Sequence, residues 1–464
     1  MEILFAVSDF GKIKHAEVTL SDFTLFVGDN NSGKTFMMQL MYGVLKELQG
    51  VNRPVIDGIE EEGDRFIYAA EWFDHMETQV NEYLSKNKEK IIRRIFHKDI
   101  VIGELSIRLV NRDERYICEI KNQEFEEIGG EDDEIVVMIS GILAELYVMD
   151  RDGDRRKKAQ MSFYYQPNNN DLKGMLATRI WSMILSMGSM MNADSLFLPA
   201  SRTGLQLLSK YFFAERDRKA ISEIGTFDVE EEEANTDVTE NELGLTMPVY
   251  DFLQFLLRYN QRSKMTSENR DLIEFIEQHL IDGQIKYLGD EIYYHPDALT
   301  EDKEDIPLYL ASSLVNEATP IIKALSGIRN YKYIFYDEVE TCLHPLKQGE
   351  MARLIMRLVN SRRRVIVSTH SDTMAGKLNN LLLLSFSQDS EETRKKKLTE
   401  LGLKKEDLLS DANVHVYQFV NQADGSSLVE ELEFHTMPFV GYDFKLFTQN
   451  LDDLYRETDI ILKK

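Results

Sequence analysis

The chain is poor in cysteine, in positive charge and in long apolar runs. Only Cys118 and Cys342 occur among 464 residues, with no zinc-ligand spacing and no disulfide framework, which suits a reducing compartment. Against 80 Asp and Glu there are 54 Lys and Arg, a formal net charge of −26. That balance excludes whole-molecule attraction to nucleic acid and confines any such role to a local basic face. No stretch reaches the roughly 18 uninterrupted apolar residues of a membrane helix. The first residues carry acids and alternate, unlike a basic-then-apolar leader. A soluble, cytoplasmic protein without a membrane partner is therefore expected, and its length predicts about two to four domains.

What the chain does contain is Phe26-Val27-Gly28-Asp29-Asn30-Asn31-Ser32-Gly33-Lys34-Thr35, a complete G-x-x-x-x-G-K-[ST] pattern. Its flanks supply the required context, because Ser21 to Val27 reads as a strand and Phe36 to Gln49 as an apolar-periodic helix. The glycines let successive N–H groups turn inward around phosphate oxygens. Asn30, Asn31 and Ser32 form the cradle, Lys34 reaches the β- and γ-phosphates, and the Thr35 hydroxyl can ligate Mg²⁺ at a helix N-terminus. The implied ligands are ATP and Mg²⁺.

Around the loop, Glu2 to Val7 and Ile13 to Leu20 read as strands, Arg65 to Ala69 as a short strand and Glu71 to Phe96 as a charged helix. Valine- and isoleucine-rich segments follow, with a turn at Gly129-Gly130. The methionines of Leu172 to Met191 read as adaptable core packing on a helix. Pro199 to Arg202 follow a strand at Ser195 to Leu198, where α/β sheets place ligand loops. Arg202 is open between a phosphate or interface contact and a surface ion pair. The acidic run Glu230 to Glu242 reads as a solvated loop, and Val249 to Tyr259 with Glu268 to Ile281 as an antiparallel helical arm. Asp150-x-Asp152-Gly153-Asp154 has Met161 where a calcium loop needs its glutamate, so it reads as a hairpin turn. Further on, Leu381 to Phe386 reads as a strand, Glu391 to Leu409 as a helix and Tyr442 to Leu462 as a closing amphipathic helix. The basic clusters Arg155 to Lys158, Arg362 to Arg364 and Arg394 to Lys397 are open between nucleic-acid contacts and solvated faces.

A second signal is Tyr333-Ile334-Phe335-Tyr336-Asp337-Glu338, an apolar strand ending in two acids. Asp337 suits a Mg²⁺ ligand and Glu338 the group that polarises the attacking water. Arg364 to Ser368 is another strand, delivering Thr369-His370-Ser371-Asp372, and His370 is a candidate γ-phosphate sensor. Ser312 and Ser313 open a helix; they can cap it or present donors to an anion.

The order of these motifs resembles the ABC-type ATPase heads of the SMC, RecF and OLD (overcoming lysogenisation defect) group, which also go by the name of AAA-type ATP-binding proteins. Gly28 to Thr35 match Walker A, Tyr333 to Glu338 match Walker B, Leu343-His344-Pro345 follow the D-loop, and His370 matches the switch histidine. Ser312-Ser313 to Glu317 resemble a divergent signature motif, departing from the L-S-G-G-Q of transporters. The resemblance implies an α/β P-loop fold and an ATP hydrolase that closes as a head-to-head dimer or higher oligomer, Walker A facing the partner's signature serines. Lys34 and Glu338 are 338 − 34 = 304 positions apart, so α+β and helical arm or lid segments are inserted. The expected division is an N-terminal head part at 1–70, an α+β subdomain at 71–192, a short strand with a helical arm at 193–282, and a C-terminal head part at 283–464. ATPase subunits of the PARIS and Septu anti-phage systems are similar in size and architecture, which implies a separately encoded effector as partner. The alternative is a repair or recombination ATPase that clamps duplex DNA.

Overall fold

The computed structural model describes residues 1–50, 55–112, 115–128, 136–149, 153–185, 194–209, 244–257, 265–289, 291–298, 304–435, 441–445, 455–458 and 460–461. The acidic run Glu230 to Glu242, the Gly129-Gly130 turn, residues 150–152 and most of the expected C-terminal helix lie outside them. Two compact units are present, one of residues 1–7, 44–91 and 103–193, the other of residues 8–43, 92–102 and 194–464. Among the described residues no helix is long and apolar enough to cross a membrane.

In the first unit, β1 (Glu2–Phe10) pairs antiparallel with β6 (Leu105–Val110) through Glu2 to Val7. A separate sheet has the order β4 (Ile59–Glu62), β5 (Arg65–Tyr68), β7 (Arg115–Ile128), β8 (Val136–Met149), β9 (Arg155–Phe163), every pair antiparallel. Helix α2 (Ala70–Phe96) buries Trp72, Phe73, Met76, Val80 and Leu84, the three-and-four spacing of a one-sided helix. Met149 and Arg155 are paired across the β8–β9 connection, as the hairpin reading expects. The basic run on β9 is answered by acids: Arg155 lies 2.8 Å from Glu119, and Lys157 pairs with Glu145. Together with Lys121, Lys157 holds the Glu145 carboxyl down to about 2. Helix α3 (Asn169–Leu185) turns Leu172, Leu176, Ile180, Trp181 and Met183 inward, so Met183 is core, as composition suggested.

The second unit is built on five parallel strands in the order β10 (Asp194–Leu198), β14 (Tyr331–Tyr336), β15 (Arg364–Thr369), β3 (Phe23–Gly28), β16 (Val414–Asn421). Beyond β16 come β17 (Ser427–Glu431), antiparallel to it, and β2 (Ile13–Leu20), parallel to β17. β3 and β15 are buried at every position, which is why both read as nearly continuous apolar runs. A small antiparallel sheet of β11 (Gly283–Leu288), β12 (Glu291–Pro296) and β13 (Ile306–Pro307) stands apart. Because the five central strands run the same way, the segments after β3, β10, β14 and β15 leave from one edge of the sheet. α1 (Lys34–Gly50) follows β3 directly. Gly43 on it has no room for a side chain, since an added Cβ would lie 2.3 Å from Ile95.

Three expectations are corrected here. α4 (Met247–Leu257) and α5 (Ser267–Phe275), the latter continued by a π-helical turn to Ile281, do not make a free arm. They bury Phe252, Leu256, Leu272, Phe275 and Ile276 in the core of the second unit, because their apolar faces are wide enough to need covering. Leu381 to Phe386 is not a strand but the last six residues of α8 (Asp372–Phe386). Met374, Ala375, Leu378, Leu381 and Leu382 recur at helical spacing, and the short apolar run alone could not reveal that. Between them, α6 (Ser313–Ser326) and α7 (Pro345–Asn360) pack into the same core. The helix expected over Glu391 to Leu409 ends earlier: α9 (Glu391–Leu401) stops at Gly402, which takes φ 66° as a left-handed cap.

Candidate functional site

Gly28 sits at the end of β3 with φ +136°, and a Cβ there would lie 2.1 Å from the carbonyl oxygen of Phe419 on β16. Only glycine allows this approach, which lets Asp29 N–H donate to the same oxygen at 3.2 Å. The loop tip is pinned from outside. Asn421 donates through Nδ2 to the Asn30 carbonyl (3.1 Å) and through its backbone N–H to Asp29 Oδ2 (3.1 Å), and Lys12 Nζ donates to the Asn31 carbonyl (3.0 Å). Asn31 takes φ 59° and Gly33 φ 98°, and Ser32 Oγ closes back onto the Asp29 carbonyl at 2.7 Å. α1 then starts at Lys34 with no acid in its first turn. Its unpaired first N–H groups and the positive end of its dipole favour an anion.

Lys34 is buried, and its ammonium folds back on the loop, donating to the carbonyls of Gly28 (2.9 Å) and Asp29 (2.6 Å). Burial pushes its pKa down, opposed by the carboxylates of Asp337, Glu338 and Glu340. Thr35 Oγ1 lies 2.9 Å from both carboxyl oxygens of Asp337. Asp337 is itself buried at the end of β14 and accepts from Ser368 Oγ at 2.6 Å. Burial raises its carboxyl above the ordinary value, while the Ser368 and Thr35 donors hold it back. The sequence-predicted residues Lys34, Thr35, Asp337 and Glu338 thus meet at one sheet edge, although β15 separates β3 from β14.

Glu338 adopts φ 45°, a left-handed conformation that costs a non-glycine residue about 1–3 kcal/mol. Its backbone N–H donates to Ser368 Oγ (2.8 Å), and its carbonyl accepts from Arg202 Nη2 (3.2 Å). Arg202 is not a surface ion pair. It is fully buried, donates through Nη1 to the carbonyls of Pro199 and Asp337 (2.9 Å each), and pairs with Glu317. His370 follows β15. Its backbone N–H donates to Glu340 Oε1 (2.8 Å), and its Nδ1 lies 3.1 Å from the same oxygen.

Ser312 and Ser313 are exposed at the start of α6, where Ser312 caps the helix by accepting from Val315 N–H. Among the described residues no hydrogen bond joins them to residues 28–35. Leu343-His344-Pro345 form a second cap, with His344 accepting from Leu346 N–H. Glu340 and Ser368 were missed in the sequence. No spacing rule marks Glu340, an acid two positions past Glu338, and Ser368 passes for an ordinary strand end.

These contacts define an α/β fold with a phosphate loop between a buried parallel strand and a helix, and an acidic strand end beside it. The chain belongs to the AAA ATPase domain family, whose model matches residues 4–179 and 198–375. The reading of an AAA-type P-loop ATPase domain is borne out by that membership. No curated protein matches the chain. Among solved structures, an SMC head bound to the C-terminal winged-helix domain of ScpA is 12% identical, covering 93% of this chain and 97% of its own, with a TM-score of 0.35. The SMC head domain from Thermotoga maritima is 13% identical over 93% of this chain and 100% of its own, with a TM-score of 0.34. An Smc head domain with an extended coiled coil, bound to the C-terminal domain of ScpA derived from Pyrococcus furiosus, is 12% identical over 97% of this chain and 98% of its own, with a TM-score of 0.32.

Proposed function

We propose that the protein hydrolyses ATP in a Mg²⁺-dependent reaction and uses the nucleotide to close two copies head to head. The observation that supports this reading is the convergence of Lys34, Thr35, Asp337, Glu338 and His370 on one sheet edge. Lys34 is held by two loop carbonyls and is penalised by burial. A triphosphate supplies a full negative charge in their place, so binding draws the ammonium outward onto the β- and γ-phosphates. The hard oxygen donors Thr35 Oγ1 and Asp337, already in contact, are the ones that would hold Mg²⁺. The ion supplies charge neutralisation of the phosphate oxygens when bound.

Glu338 accepts a proton from the water that attacks the γ-phosphorus. The bond from that phosphorus to the bridging oxygen breaks, and ADP leaves with the electron pair. Glu340 faces His370 Nδ1, which keeps the proton on that nitrogen and turns the other ring nitrogen toward the γ-phosphate. The exposed serines Ser312 and Ser313 complete the site of the opposite copy.

On this reading, closure and opening regulate a separately encoded effector, with an anti-phage role. The pairing of Arg155 and Lys157 with Glu119 and Glu145 answers those two charges within the protein, which counts against a duplex-DNA contact at β9. Glu338→Gln tests the core of the proposal. It is expected to bind ATP, to lose turnover by about 10²–10⁴-fold, and to accumulate as a dimer in light scattering. A monomeric variant with undiminished turnover refutes the assignment.

A further inference from the structure

Arg202 uses its guanidinium entirely on groups of the protein. Nη1 serves the carbonyls of Pro199 and Asp337, Nη2 serves the carbonyl of Glu338, and Nε faces the Glu317 carboxylate. The guanidinium carbon stands 4.6 Å from the centre of the Tyr336 ring, so the side chain grips three consecutive residues at the end of β14. Arg202 and Glu317 are 0% and 1% exposed, so neither charge has solvent to fall back on. Glu317 is fixed in turn by Thr203, whose hydroxyl donates to Oε1. Burial raises its carboxyl, and the Arg202 charge opposes the rise.

Two features make this more than a packing device. Glu338 is held in a left-handed conformation by three bonds: its N–H donates to Ser368 Oγ, and its carbonyl accepts from the Thr341 N–H (3.1 Å) and from Arg202, the one side-chain donor to that carbonyl among the described residues. The conformation persists only while its surroundings over-determine it. Glu317 also lies four residues beyond Ser313 on α6, on the helix whose exposed tip carries Ser312 and Ser313.

We propose that Arg202 is a positioning residue for Glu338, and that its pairing with Glu317 ties the position of the Glu338 carboxylate to the serine-tipped helix α6. Contact at the tip of α6 then resets the reacting geometry of Glu338 in the same copy. The inference rests on the reading of Glu338 as the water-polarising group. An arginine is required because three carbonyls and a carboxylate are met in fixed directions, which a lysine ammonium cannot span.

The test compares Arg202→Met, Glu317→Gln and the double variant Arg202→Met/Glu317→Met in the full chain. Replacing the buried ion pair by apolar side chains of similar volume leaves no unpaired buried charge, although the carbonyls lose their guanidinium donor, while removing the grip. The expected result is that the double variant unfolds at a higher temperature than Arg202→Met, which leaves Glu317 buried without its partner, and binds a fluorescent ATP analogue normally, while kcat stays about a hundredfold below wild type. A purely structural role predicts that kcat returns together with the unfolding temperature, and that outcome overturns the proposal. Should the double variant fail to fold, Glu317→Gln decides. A fall of about tenfold or more in kcat at unchanged nucleotide affinity supports the linkage, and wild-type kcat overturns it. If Glu338→Gln itself retains turnover, the reading of Glu338 fails first; if it does not, these variants test the linkage alone.

Discussion

Ser368 is the residue at which the acidic strand end is best probed. Its side chain is fully buried on β15; Oγ accepts the Glu338 N–H at 2.8 Å and donates to Asp337 Oδ1 at 2.6 Å. Ser368→Ala removes one atom and both bonds. A hydrogen bond to a carboxylate contributes about 1.5–3 kcal/mol, and an orphaned buried N–H costs about 1–3 kcal/mol. The two share one oxygen and are not additive, so a loss of about 2–4 kcal/mol is expected, or about 2–6 °C in Tm for a unit of this size. The same change moves a proton equilibrium. Burial raises the Asp337 carboxyl and the Ser368 donor opposes the rise; without that donor the carboxyl rises further and protonates at higher pH. The acid limb of the ATPase pH profile should therefore shift to higher pH. Thermal unfolding and initial rates across pH measure the two effects. Ser390→Ala, which removes the exposed cap of α9, serves as the control: about 1 kcal/mol of stability lost, with the profile unmoved. A Ser368→Ala protein with wild-type Tm and a wild-type acid limb would show that the hydroxyl does not organise Asp337 and Glu338.

Three further outcomes are expected. Gly28→Ala places a Cβ 2.1 Å from the Phe419 carbonyl oxygen at φ +136°, so the loop must leave β16. Nucleotide affinity should drop by at least about a hundredfold in a fluorescence titration, reflecting a cost of about 3 kcal/mol or more. Glu340→Ala frees both the backbone and the ring of His370; kcat should fall about tenfold or more while ATP affinity stays near wild type, and unchanged kcat would remove Glu340 from the site. Asp407 is fully buried between Arg353 and Arg357. Burial opposes its ionisation, but the Lys404 N–H and the two guanidinia prevail and hold the carboxyl below its ordinary value. The stability this adds is present above the unfolded pKa of about 3.9 and is lost as pH falls through the lower folded value. Asp407→Asn should thus cost about 2–4 kcal/mol near neutrality and progressively less below about pH 4; a gap constant down to pH 3 contradicts the sign.

The phosphate loop was legible because glycine at fixed spacing has a backbone cause that survives in the sequence, as the strained φ at Gly28 and Gly33 shows. The acidic strand was legible because a strand buried on both faces must be apolar until it ends. Helix α8 was misread because six residues of apolar sequence carry too little periodicity to separate strand from helix. The helices at Met247 and Ser267 read as an arm from sequence because amphipathic spacing says which face is apolar, not what covers it. Arg202 could not be resolved from sequence, since its partners are mostly backbone carbonyls, which no residue type announces. Glu340 and Ser368 stayed hidden for the same reason: their importance comes from the strand order that places β15 between β14 and β3, a property of topology alone.

That strand order has a consequence for synthesis. Both neighbours of β3 in the sheet, β15 and β16, come from the last quarter of the chain, with Phe23 paired to Val365 on one side and to Val414 on the other. On a ribosome adding about 5–20 residues per second, the nascent strand Phe23 to Gly28 waits roughly 20–80 s before both partners exist. Throughout that interval an apolar strand with two open edges is available to wrong partners. The nucleotide cradle can therefore form only after β16 has been synthesised. A truncated chain ending before β15 should expose this strand to proteases and chaperones rather than bind ATP.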